Sequence, residues 1–124
     1  PGAMSQAAAR RRILVVEDEL LIALDLGTLL GALGYEVVGP VARTGQALAL
    51  AGTEPLDAAI LDVHLRDGEQ SYPVADRLIA CGVPVAFCTA YDESSLDAAY
   101  AACPVLRKPF TEAELGVVLG RLLA

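Results

Sequence analysis

The sequence predicts an α/β fold: one five-stranded parallel sheet with helices on both faces. Three observations point to it. Two periodicities alternate along the chain, the strand-like segments are apolar throughout, and the segments joining them are short. A strand covered on both faces reads as a continuous apolar run, and strand–helix alternation gives a parallel sheet. With 124 residues, 55% of them hydrophobic and 20% charged, the chain can bury a core as one domain.

The first strand is ILVV, 13–16. From Leu20 the period changes: Ile22, Leu26, Leu29 and Leu33 fall on one face of a helix that Gly34 ends. YEVVG, 35–39, is the second strand. Thr44 is placed to cap a helix running to about Ala51, with Gly52 after it. AAILD, 58–62, is the third strand. The next helix runs from about Tyr72 to Ala80, with Pro73 in its first turn, where no N–H is needed. VPVAFC, 83–88, is the fourth strand, and Ser94 or Ser95 begins a short Ala-rich helix containing Leu96, Ala99 and Tyr100. PVLRK, 104–108, is the fifth strand. In a last helix from Glu112, residues Leu115, Val118, Leu119 and Leu122 make the buried stripe. Five such strand–helix pairs most naturally adopt the doubly wound, flavodoxin-like order 2-1-3-4-5.

A net charge of −7 argues against direct nucleic-acid binding, which needs clustered Lys and Arg. The one basic run, Arg10 to Arg12, reads as a solvated flank of the first strand. No apolar stretch approaches the ~20 residues that cross a bilayer, and no secretory segment opens the chain. Cys81, Cys88 and Cys103 form no CxxC and are odd in number, which predicts reduced thiols and a cytoplasmic protein, with Cys88 in the core. A single His leaves no His-rich zinc site. The opening PGAM looks like a cloning scar before Met4, so residues 1–9 read as tag remnant and flexible N-terminus and 10–124 as the domain.

In an open parallel sheet the carboxyl ends of the strands share one edge, and ligands bind there. The first strand ends in Glu17, Asp18 and Glu19, the third in Asp62; the fourth leads into Thr89 and the fifth into Lys108. In the order 2-1-3-4-5 these groups converge. Carboxylates sharing a crevice repel one another unless a cation intervenes. An all-oxygen cluster suits a hard divalent ion such as Mg²⁺, which also neutralises phosphoryl oxygens during transfer. Lys108 supplies a second positive centre and the Thr89 hydroxyl a donor. Asp62 is then the nucleophile, since aspartate can form an acyl phosphate. Glu19 reads as no more than an acid at a helix start.

VVEDE, LDVHLRDG, CTAY and RKPF, in that order, resemble the receiver (CheY-like) domains of two-component response regulators. Asp62 follows Asp18 by 44 residues, and Thr89 and Lys108 follow Asp62 by 27 and 46. The resemblance covers the chain from Ile13 onward. It implies that Asp62 is the phosphoacceptor, Asp18 a direct metal ligand and Glu17 a second acid acting through a bound water. It also implies that the main-chain carbonyl of His64 ligates the metal, that Thr89 and Lys108 respond to phosphate, and that Lys108–Pro109 is cis. The phosphodonor would be a histidine kinase or histidine phosphotransfer protein. Signalling would pass to a downstream protein partner through the fourth helix, fifth strand and fifth helix.

One position departs from the family pattern. Val105 stands where many receivers have a Tyr or Phe that swings inward, whereas Tyr91 follows Thr89 by two within FCTAY. This resembles the stand-alone FAT GUY subgroup, although Ala90 replaces its Gly. Tyr91, or ordering of the Ala-rich helix, is therefore the expected reporter of phosphorylation; the alternative is an amphipathic loop residue. The His64 side chain is expected to be partly exposed beside the site, with an effect on phosphate lifetime through access of water. Alternatives are a fragment of a longer regulator whose output domain is missing, a phosphate sink, and a docking-only pseudo-receiver. A phosphohydrolase of the haloacid-dehalogenase type would need a second Asp where His64 stands. A flavin module would need a Ser/Thr-rich loop where VEDE stands. Apolar residues on the last two helices permit a homodimer without requiring one.

Overall fold

The computed structural model describes residues 10–91 and 96–124. Its elements are β1 (Arg12–Val16), α1 (Leu20–Ala32), β2 (Glu36–Val41), α2 (Thr44–Thr53), β3 (Ala58–Asp62), α3 (Tyr72–Ala80), β4 (Val85–Thr89), β5 (Val105–Arg107) and α4 (Glu112–Leu122). Short 3₁₀ turns at Arg66–Gly68 and Ala98–Tyr100 complete the described chain. The sheet has the order β2-β1-β3-β4-β5 with every pair parallel, as expected.

Alternate residues of the apolar strands feed two separate cores. Leu14, Val16, Ala59, Leu61, Val85 and Phe87 pack with Ala47 of α2 and with Val74, Ala75 and Leu78 of α3. Ile13, Val15, Ala58, Ile60, Ala86 and Cys88 face the other way, onto Leu26 and Leu30 of α1 and Leu115, Val118 and Leu119 of α4. Burial on both faces explains the continuous apolar runs.

Several expectations need correction. The α1 stripe is rotated: Ala23, Leu26 and Leu30 are buried, while Ile22, Leu29 and Leu33 lie at its margin. β2 continues past Gly39 to Val41 through a cis Gly39–Pro40 bond. Leu14 pairs with Val38 and Val16 with Val41, so β2 bulges by one residue there. Gly39 has φ +97° and a Cβ would sit 2.9 Å from the Val41 nitrogen, which excludes a side chain. As an edge strand, β2 tolerates the proline.

Thr44 is the first residue of α2 rather than its cap, and Gly52 lies inside that helix. Arg12 belongs to β1, where its guanidinium meets Glu54 at 2.7 Å and Glu36 at 3.5 Å, so it is an ion-pair node and not a solvated flank. The fourth of the five expected helices is replaced, over its described residues, by the turn Ala98–Tyr100. The expected start at Ser94 or Ser95 lies outside the described residues. Tyr100 stacks on Tyr72 at 4.5 Å and donates to Asp76 at 2.6 Å, tying the turn to α3.

Candidate functional site

The parallel sheet delivers Glu17, Asp62, Thr89 and Lys108 to one edge. Asp62 pairs with Cys88 across β3 and β4, and Lys108 follows the Thr89–Arg107 pair, with its N–H donating to the Thr89 carbonyl at 2.8 Å. Lys108 Nζ then lies 2.7 Å from Glu17 Oε1, 3.1 Å from Asp62 Oδ2 and 3.7 Å from Glu19 Oε1. Glu19 thus joins the margin of the site as well as starting a helix. Asp18 meets Arg66 Nε at 3.6 Å. The Lys108–Pro109 bond is cis.

Burial sets the electrostatics here. Glu17, Asp62 and Thr89 are buried although polar. Desolvation pushes the Glu17 carboxyl up to about 7; Lys108 pulls it down and Asp62 raises it further. Burial alone would lower Lys108, but Glu17 and Asp62 overrule it and hold the ammonium above its ordinary value. Cys88, next to Asp62 in the core, is pushed up to about 12 by burial and is an inert thiol.

The donor set fits a hard divalent ion. Carboxylate oxygens of Glu17, Asp18 and Asp62 lie within 4.8 Å of one another. Glu17 Oε1 is buried and accepts no well-directed hydrogen bond, despite the close approach of Lys108. One ammonium therefore faces two buried carboxylates from within, and a further cation would complete the balance.

The loop after β3 is a small hairpin. His64 and Gln70 form an antiparallel bridge, Leu65 N–H donates to the Glu69 carbonyl at 2.8 Å and Ser71 N–H to that of Val63 at 3.1 Å. Asp67 takes φ +61° in its turn. The Glu69 carboxylate accepts from Thr44 N–H at 3.0 Å and from Arg43, so Glu69 provides the N-terminal cap that Thr44 does not. Arg43 and the Thr44 backbone hold the Glu69 carboxyl down at about 2. Sequence reading missed Arg43, Arg66 and Glu69. The turn signal in RDGE was present, but the partners are distant in sequence.

Tyr91 is exposed, its ring edge-on to that of exposed His64 at 5.8 Å, and its N–H donates to Thr89 Oγ1 at 3.1 Å. Asp18, Asp62, His64, Thr89, Tyr91 and Lys108 line one open pocket.

No protein-family model matches the chain. It is 36% identical over 123 residues to the transcriptional regulatory protein PdtaR of Mycobacterium tuberculosis, covering 93% of this chain and 58% of the relative. It spans about half the length of the curated relatives it matches. The solution structure of SdrG from Sphingomonas melonis is 44% identical with a TM-score of 0.84, covering 94% of this chain and 98% of that one. The response regulator REC domain of Erythrobacter litoralis PhyR is 30% identical with a TM-score of 0.82, covering 94% and 92%.

Proposed function

Because this chain belongs to the receiver family of response regulators, we propose that Asp62 takes a phosphoryl group from phosphohistidine. A histidine kinase or histidine phosphotransfer protein presents the donor. The observation that carries this reading is a buried Asp62 carboxylate 3.1 Å from Lys108 Nζ and clustered with Glu17 and Asp18.

An Asp62 carboxylate oxygen attacks phosphorus and the P–N bond breaks. The imidazole, protonated on its other nitrogen, leaves neutral with the bonding pair. Asp62 becomes an acyl phosphate. Phosphorylation of the carboxylate takes away the Asp62 charge that Lys108 faces at 3.1 Å, and Lys108, still beside Glu17 at 2.7 Å, turns its ammonium to a phosphoryl oxygen. Thr89 Oγ1 accepts from Tyr91 N–H, which leaves the hydroxyl proton to donate to the phosphoryl group. Mg²⁺ held by Glu17, Asp18, Asp62 and the His64 carbonyl would supply neutralisation of phosphoryl charge. The chain is a phosphoacceptor that assists gain and loss of its own phosphate in the cytoplasm, with a downstream protein as its target.

Incubation with a small phosphodonor and Mg²⁺, followed by intact mass, tests this. A base-labile phosphoryl adduct is expected on the unaltered protein and none on Asp62→Asn. Persistence of the adduct in the variant would move the chemistry to another residue.

A further inference from the structure

The phosphoacceptor reading leaves Arg66 without a role. Its side chain is 72% exposed, yet it reaches Asp18, whose own side chain is only 10% exposed. At 3.6 Å the contact is one of charge and not a hydrogen bond, so it exchanges readily. Its backbone, by contrast, is fixed. The hairpin bonds of Leu65 and Ser71 close the turn from one side. The grip of Arg43 and Thr44 on Glu69 anchors it from the other. A guanidinium on a well-anchored turn thus sits against one carboxylate of the three that cluster at the rim.

Resting on the metal-dependent reading above, we propose that Arg66 is a placeholder cation at Asp18 that a divalent ion must displace, and so sets the Mg²⁺ concentration at which the site loads. Asp18 cannot face both a guanidinium and a divalent ion without the two cations repelling each other. Arg66 balances the charge of Asp18 while the ion is away and swings into solvent when it arrives. It acts through Asp18 and is a positioning residue.

Calorimetric titration of the full chain with Mg²⁺ alone, at low salt and with no phosphodonor, tests the proposal. Arg66→Ala is expected to bind Mg²⁺ about twofold to fivefold more tightly, the range an exposed ion pair commands. That gain should disappear near 1 M salt, where the screening length falls to about 3 Å. Arg66→Lys keeps the charge and should behave like the unaltered protein. Arg121→Ala removes the same charge near Pro84, at the opposite sheet edge, and should leave affinity unchanged. Equal or weaker binding by Arg66→Ala, or the same gain in Arg121→Ala, overturns the placeholder role alone. If the unaltered protein takes up no Mg²⁺, the metal-dependent reading fails and this inference falls with it.

Discussion

At Lys108 two opposing effects meet, since burial disfavours its charge while Glu17 and Asp62 favour it. Glu17 lacks that balance: its burial outweighs the ammonium, and its folded value of about 7 stands above an unfolded value of about 4.5. Between those values the folded chain keeps a proton that the unfolded chain has released, so stability falls as pH rises through the window. Glu17→Gln is expected to remove that fall and to add about 1–3 kcal/mol at pH 7.5 without divalent ions. Thermal denaturation across pH checks it, and a slope unchanged by the substitution would refute the assignment. Mg²⁺ should then stabilise the unaltered protein more than the variant. Arg12 teaches a related lesson. A basic run reads as solvated until the fold places Glu36 and Glu54 beside one of its members.

Among the described helices, α4 is the one whose N-terminus is closed by a local capping box. Thr111 Oγ1 accepts from Glu114 N–H at 3.1 Å, and the Glu114 carboxylate accepts from Thr111 N–H at 2.9 Å. Thr111→Ala is expected to cost about 1 kcal/mol, or about 4 °C in Tm, with the site unaffected. Calorimetric unfolding beside an Mg²⁺ titration checks both parts. α2 is capped differently, by Glu69 from another element. The segment around Ala98–Tyr100 is rich in helix formers, yet tertiary contacts override propensity there. Asp97 accepts from Ala99 N–H, Tyr72 accepts from Asp97 N–H at 2.9 Å, and the tyrosine stack fixes the turn. The face expected from a fourth helix, fifth strand and fifth helix is therefore built, among the described residues, from this turn, β5 and α4.

On the scale of the molecule, one rim gathers the acids, and an aromatic cluster of Tyr72, Phe87 and Tyr100 packs against the strand that leads to it. Phe87 lies in β4, two residues before Thr89, and contacts Tyr72 and Tyr100 edge-on at 5.6 Å each. A shift at Thr89 thus has a packed route to the Ala98–Tyr100 turn, and phosphorylation would bias an existing equilibrium of that segment. Beryllofluoride with Mg²⁺ is expected to move the amide resonances of residues 89–91 and 96–105, while those near Gly82 at the opposite edge stay in place. Unchanged resonances in the 89–105 region would refute this route.

The five strands, four of the five expected helices, the 2-1-3-4-5 order and the convergence of Glu17, Asp18, Asp62, Thr89 and Lys108 were legible in the sequence, because apolar periodicity marks the elements and strand–helix alternation leads to a doubly wound sheet whose parallel strands end at one edge. The resemblance added the cis Lys108–Pro109 bond. Tertiary structure alone decided the β2 bulge at Gly39, the borrowed cap of α2, the loss of helix at Ala98–Tyr100 and the meeting of Arg66 with Asp18. Each depends on partners that are distant in the chain, and local pattern carries no information about which distant group will arrive.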